Sequence, residues 1–378
     1  MDKFDKQILF YALVFLILTR VILSLIGAIS VEFVKVFTFP WRASTNPFLD
    51  VWAKWDSAYY MDIATKGYKH PPINPAYPNV SFFPLYPLIL KIFNFFFHNV
   101  LITGIIVSNL FLLLSLIIFS KLIKLETRNE KLAKDSLIFL LIFPTSFFFS
   151  AVYPESLFLF NILATFYFLK KNNLKLASIF GILTSLTKSI GFLIILPLIY
   201  HVMKNKLNFT RILFIFSIPV GTGVFLLYLF LSFNLTPFDL VKIEEKAWLR
   251  KPWYNLENVQ QFFSGLYKTL FLEELTIKSW KLIYIINLIF TFFVLFLTIF
   301  FRNILKDKTY LIFSLTFLFS PIVLGHIIGM TRYVIILFPM YAALASIKND
   351  LLSNIVKFIL VAFSIVFFIM FVNWFAII

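Results

Sequence analysis

The 378-residue chain contains no cysteine, which excludes disulfides, thiolate nucleophiles and cysteine-ligated metals and leaves its redox compartment unreadable. Charge is scarce too. Only 14% of residues are charged and 61% are hydrophobic, against roughly 25% and 45–50% in a soluble domain. A soluble fold of this length has no place to hide that much apolar surface. Acidic residues are the rarer sign, 18 against 34 Lys and Arg, for a net charge of +16. Most of the basic excess sits in short segments between apolar runs, where it sets membrane topology rather than binding nucleic acid. Also missing are a glycine-rich phosphate loop, an H-E-x-x-H pair, a serine nucleophile elbow, any internal repeat and any separate soluble domain.

What remains is a series of apolar runs, at about 8–29, 101–120, 136–152, 154–170, 176–187, 190–202, 211–233, 281–301, 309–328, 331–347 and 351–375. A stretch of about 20 residues crosses a hydrocarbon core of roughly 30 Å. The first run follows Lys3 and Lys6 but is about twice a signal-peptide core, so it reads as a retained helix. Basic clusters at Lys121–Lys134, Lys170–Lys175, Lys204–Arg211 and Arg302–Lys308, with Lys348, belong on the cytoplasmic side. The chain between the second and third clusters must therefore go out and come back in about 28 residues, as a hairpin of short helices around Lys188. If 82–97 spanned, the 121–134 cluster would face outside. With Pro84 and Pro87 near its start, that segment reads as interfacial or re-entrant. The expected architecture is an all-α polytopic membrane protein, one domain over 1–378, with about nine full spans and a short-helix hairpin. Two external loops, about 30–100 and 234–280, would carry the chemistry.

The first loop contains Trp55-Asp56-Ser57-Ala58-Tyr59-Tyr60 and opens a helix-like stretch that Gly67 can cap. At 100° per residue Asp56, Tyr60, Ile63 and Gly67 share a face while Asp62 points elsewhere, so the two aspartates do not pair. Asp56 reads either as an N-cap or as an external base. Transfer of a sugar from a lipid phosphate would need such a carboxylate, cations for the leaving phosphate and a groove for the lipid. A soluble-type nucleotide-sugar enzyme would need a Rossmann-like domain, for which the chain has no room, so the donor is expected to be a lipid. Candidate cations are Lys188 at the hairpin tip, Arg332 between two apolar runs, and Arg250-Lys251 in the second loop, with headgroup snorkelling as the alternative for Lys188 and Arg332. Arg20 and Lys357 need only snorkelling or pairing, and His326 reads as a cavity or packing histidine. Glu155, after Tyr153-Pro154, reads as a dipole-favoured acid or a site residue.

These residues, taken in order, resemble the PIG-V-type mannosyltransferases, membrane glycosyltransferases of the GT-C class. The likeness is carried by Trp55–Tyr60 with Gly67-Tyr68, by Phe82-Phe83-Pro84-Leu85-Tyr86-Pro87, and by Pro144–Tyr153 with Glu155-Ser156. Leu186-Thr187-Lys188-Ser189, Thr236-Pro237-Phe238-Asp239 with Trp248, Arg250 and Trp253, and Arg332-Tyr333-Val334 with Phe338-Pro339 complete it. The resemblance implies a GT-C fold, a polyprenyl- or dolichyl-phosphate hexose donor, mannose above all, and inversion at the anomeric carbon. It puts the key acid at Asp56 and makes Trp55, Tyr60, Tyr86, Glu155, Lys188, Trp248, Arg250, Arg332 and Tyr333 candidates for substrate binding. Lys188 departs from the family, where arginine is more usual; lysine keeps the charge but loses the bidentate fork. The acceptor, whether lipid, glycan or protein, does not carry over, and a divalent cation is left open as a cofactor. The expected location is the cell membrane of a prokaryote or the endoplasmic reticulum membrane of a eukaryote. The rival from another class is a transporter or flippase of lipid-linked sugars, which broken helices and buried cations suit equally. The external Trp55-Asp56 loop favours an enzyme, since transport needs no base outside.

Overall fold

The computed structural model describes residues 3–34, 41–69, 78–204, 208–248, scattered positions within 257–267, and 280–300, 302–323 and 329–375. Among these the regular structure is entirely helical. Three helices are long and apolar enough to cross a membrane: α1 (Lys3–Phe33), α5 (Val100–Thr127) and the C-terminal Asp350–Val372. Buried residues on α1 recur every three or four positions, from Phe4 through Ile8, Ala12, Leu16, Arg20 and Leu23. Its other faces expose Phe10, Ile17, Leu18, Val21, Ile22 and Leu25. A stripe facing the bundle and apolar side chains facing outward is the pattern of a helix bathed in lipid.

The remaining helices before the middle of the chain are α2 (Pro47–Asp50), α3 (Ser57–Lys66), α4 (Leu85–Phe97), α6 (Glu130–Ile142), α7 (Glu155–Lys170) and α8 (Leu174–Thr187). At 13 residues, α4 rises about 20 Å, short of a hydrocarbon core. It buries Tyr86, Pro87 and Leu90 and exposes Leu88, Ile92 and Phe95, as an interfacial helix does. At the centre lies α7, apolar on every face, packed against α5 and α8. Asn161 on α7 donates to Thr187 Oγ1 on α8 at 3.2 Å, a polar tie between two otherwise apolar helices.

Several apolar runs are not single helices. The run at 136–152 is helical only to Ile142; after Pro144 it becomes a buried 3₁₀ turn, Ser146–Phe149, and an irregular link to α7. The 211–233 run breaks near Pro219 into α10 (Phe209–Ser217) and α11 (Val220–Phe233), bent by 42°. The 331–347 run consists of α15 (Met330–Tyr333), a 3₁₀ turn (Val334–Ile336) and α16 (Pro339–Ala345). Proline removes the donor and blocks the preceding turn, and irregular backbone at depth persists only inside protein. The basic cluster at 121–134 is mostly helix, because α5 runs to Thr127 and α6 starts at Glu130.

After α8 the chain breaks at Lys188, as the charge pattern requires. The return begins as a 3₁₀ segment, Ser189–Ile194, before α9 (Ile195–Lys204). That segment lies on α8, whereas α9 leans on α14 (Lys308–Val323), so the expected hairpin is splayed. Beyond α11, α12 (Pro237–Trp248) follows Thr236. Thr236 N–H and Oγ1 donate to Asp239 Oδ2, and Asp239 N–H donates back to Thr236 Oγ1, a capping box. The bundle is completed by α13 (Trp280–Phe300) and α17 (Asp350–Val372).

Candidate active site

Four charged side chains from remote parts of the chain meet beside the segment that carries Trp55 and α3. Arg332 donates from Nη1 to Asp56 Oδ2 at 2.6 Å and from Nε to Glu155 Oε1 at 2.5 Å. Lys188 Nζ donates to the same Glu155 oxygen at 2.9 Å. One guanidinium thus bridges two carboxylates, and one carboxylate oxygen serves two cations. The cluster is electrically balanced, with two acids and two bases. Glu155 is fully buried, Arg332 and Lys188 are 9% and 10% exposed, and Asp56 is the most open at 29%. Ion pairs this buried are held by geometry, because removing one partner leaves an uncompensated charge.

Each member has a local reason for its place. Glu155 is the first residue of α7, where the helix dipole favours a carboxylate. Lys188 is extended, its carbonyl accepting Gly191 N–H at 2.8 Å. A Cβ on Gly191 would stand 2.1 Å from the Thr184 carbonyl oxygen, so only glycine lets the returning chain lie this close to α8. Arg332 rides on α15, pinned by Thr331 N–H donating to Asn287 Oδ1 and Thr145 Oγ1 donating to Thr331 O. Asp56 occupies the N-cap position of α3 without capping it through its side chain. Its backbone is helical, its side chain makes no capping bond, and its carboxylate turns to Arg332 instead.

Tyr153 fastens the turn that leads into α3. Its hydroxyl accepts Asp56 N–H at 3.0 Å and donates to Lys54 O at 3.1 Å, and its ring lies 4.7 Å from the Arg332 guanidinium carbon. Tyr153 is not among the candidate site residues; its place at the end of the Pro144–Tyr153 stretch, beside Pro154-Glu155, is the signal for it. The loop before Asp56 is fastened from below by a buried Lys54–Asp50 pair at 2.5 Å and by Val152 N–H donating to Trp52 O. Trp55 adopts φ 55°, a left-handed conformation uncommon for a bulky residue, and its ring packs 5.3 Å from Trp374.

Of the other candidates, Tyr333 comes to the cluster, its ring 4.9 Å from Lys188 Nζ. Tyr60 is buried among Tyr86, Phe82 and Tyr153. Tyr86 bonds to Ser108 Oγ at 2.7 Å, in the α4–α5 contact rather than at the charged cluster. The side chain of Trp248 and all of Arg250, Lys251 and His326 lie outside the described residues. Arg20 is paired rather than snorkelling: Nε donates to Ser150 Oγ and Nη2 to Ser146 O. As its angular position requires, Asp62 points away from Asp56 and pairs with Lys66 and Lys69. Partial burial pushes its carboxyl up, but those two lysines outweigh this and hold it below the usual carboxylate range. No group of three or more His, Asp or Glu side chains comes together among the described residues, so no residues are assigned to a divalent cation.

The long apolar helices make this a multi-pass helical membrane bundle, and a charged cluster is buried within it. Residues 5–222, more than half of the sequence, match the mannosyltransferase (PIG-V) family, and the chain belongs to that family. Asp56, Glu155 and Lys188 fall within the matched span, and Arg332 lies beyond it. No curated protein matches the chain by sequence. Similar solved structures include the Archaeoglobus fulgidus oligosaccharyltransferase complexed with Zn and sulfate, at 14% identity and a TM-score of 0.45, covering 95% of this chain and 52% of that one. The same enzyme tethered to an acceptor peptide containing the NVT sequon is similar at 13% identity and a TM-score of 0.44, covering 96% and 55%. The chain thus spans about half the length of the solved structures it resembles.

Proposed function

We propose that this protein transfers a hexose, mannose by its family, from a polyprenyl- or dolichyl-phosphate carrier to an acceptor at the external face of its membrane. The observation that carries this reading is the Asp56–Arg332–Glu155–Lys188 cluster under the first external loop. Asp56, the most exposed member, takes the proton of the acceptor hydroxyl as its oxygen attacks the anomeric carbon. The bond from that carbon to the phosphate oxygen breaks, and the phosphate leaves with the electron pair toward Lys188 and Arg332. Attack opposite the phosphate inverts the anomeric centre. Arg332, bonded to Asp56, fixes the base and the leaving-group charge in one frame. A flippase would use the cations and the groove but not the base, so family membership and Asp56 together favour transfer.

The test is release of polyprenyl phosphate from polyprenyl-phosphate mannose by purified protein, with a panel of lipid, glycan and peptide acceptors. Asp56→Asn keeps the shape and loses the base, so turnover should fall by about 10²–10⁴ while the protein stays folded. Wild-type turnover in that variant would remove Asp56 from the mechanism, and flipping without release would favour transport.

A further inference from the structure

Glu155 is placed strangely for a site that must receive an anion. Its Oε1 accepts from both cations, while Oε2 is buried with no hydrogen-bonding partner among the described residues. The cluster already sums to zero charge, so a phosphodiester arriving between Lys188 and Arg332 would bring one negative charge too many. Something must yield. Asp56 holds Arg332 from the other side, through Nη1, and can keep that bond. Lys188 has no other carboxylate within ion-pairing distance among the described residues. Aromatic faces stand by both cations: Tyr333 and Phe158 at 4.9 Å and 5.8 Å from Lys188 Nζ, Tyr153 at 4.7 Å from the Arg332 guanidinium carbon. Those faces can retain the cations when a carboxylate lets go.

We infer that Glu155 is an internal counter-anion: it holds Lys188 and Arg332 in position while the site is empty and competes with the donor phosphate for them. It is a positioning residue rather than a catalytic one, and it sets how tightly the carrier phosphate is held. Competition lowers affinity for donor and product alike, so the spent polyprenyl phosphate is released as Glu155 retakes the cations. The inference rests on the lipid-phosphate reading above.

The test measures binding of polyprenyl phosphate to the full-length protein in nanodiscs, together with donor KM and kcat. Glu155→Gln leaves the site with net positive charge and should bind polyprenyl phosphate about tenfold more tightly, with donor KM lowered and kcat lowered. Lys188→Gln should bind about tenfold more weakly. The double variant, neutral again, should return toward wild-type affinity. If Glu155→Gln does not fold, the comparison of Lys188→Gln with the double variant decides, since removing Glu155 should restore what removing Lys188 lost. Unchanged or weaker binding on removal of Glu155, in either background, overturns the inference and assigns Glu155 to the frame of the fold. Failure of the wild type both to bind polyprenyl phosphate and to release it from the donor overturns the donor reading itself.

Discussion

The hydroxyl of Tyr153 bridges Lys54 O and Asp56 N–H, so the residue after Trp55 is fixed in space without using its own carboxylate. That division frees the Asp56 side chain for Arg332. Tyr153→Phe removes the bridge but keeps the ring under the guanidinium. It should cost about 1 kcal/mol of stability and lower turnover roughly tenfold to a hundredfold through misplacement of the base. The check is a cycle with Asp56→Asn: once the carboxylate is gone, losing the Tyr153 hydroxyl should cost turnover nothing further. Additive losses would give Tyr153 a role of its own. At this scale helical spacing in the sequence already separated Asp56 from Asp62. It left Asp56 open between cap and base because the deciding partner, Arg332, lies 276 residues away. Glu155 stayed ambiguous for the same reason, since its two cations come from other elements.

Elements hold the cluster by close approach and by caps. Where the chain returns from Lys188, a side chain at Gly191 would press on the backbone of α8. Gly191→Ala should push the 3₁₀ segment off α8, carry Lys188 away from Glu155, and reduce donor turnover at least about tenfold. The check is that turnover together with the melting temperature in detergent, and an alanine variant as active as wild type would show that the return is not held there. On the opposite side, Asp307 caps α14 by accepting from Thr309 N–H and Oγ1, and His201 of α9 stands 3.7 Å away. His201 pulls the Asp307 carboxyl below its ordinary value, and the Thr309 bonds add to this against the opposing effect of burial. A carboxyl held low in the folded state contributes stability that is complete above its unfolded value of about 4 and fades as pH falls through the folded one. Asp307→Asn should therefore melt below wild type at neutral pH, with the gap closing in acid. A gap that widens in acid would show the sign to be wrong. The element breaks were only partly legible. Prolines at 144, 219 and 339 mark them, but apolar composition is the same for a buried irregular segment as for a helix. Hydropathy therefore ran through all three.

For the whole molecule, the charged cluster and the basic connections must lie on opposite sides of the membrane if the donor is met outside. The basic residues themselves predict this through their inward bias. The structure adds that α4, at 13 residues, is shorter than a hydrocarbon core, which would leave α5 as the one crossing between the first loop and the 121–134 segment. Because the chain has no cysteine, single cysteines report sidedness without background. Lys131→Cys and Lys171→Cys, exposed in the basic connections, should resist an impermeant thiol reagent in intact cells and label after permeabilisation. Thr45→Cys before α2 and Lys242→Cys on α12, both exposed, should label from outside. The informative pair is Lys131 and Thr45, since α4 lies between them in sequence. If Lys131→Cys labels in intact cells together with Thr45→Cys, the chain crosses the bilayer an even number of times between them. Segment 82–97 would then have to span as α5 does. Asp56, five residues before α3 ends its first turn and a half, would keep its place under the external loop, but every connection after α5 would change sides. The parity of the short helices around Lys188 would have to be redrawn with them.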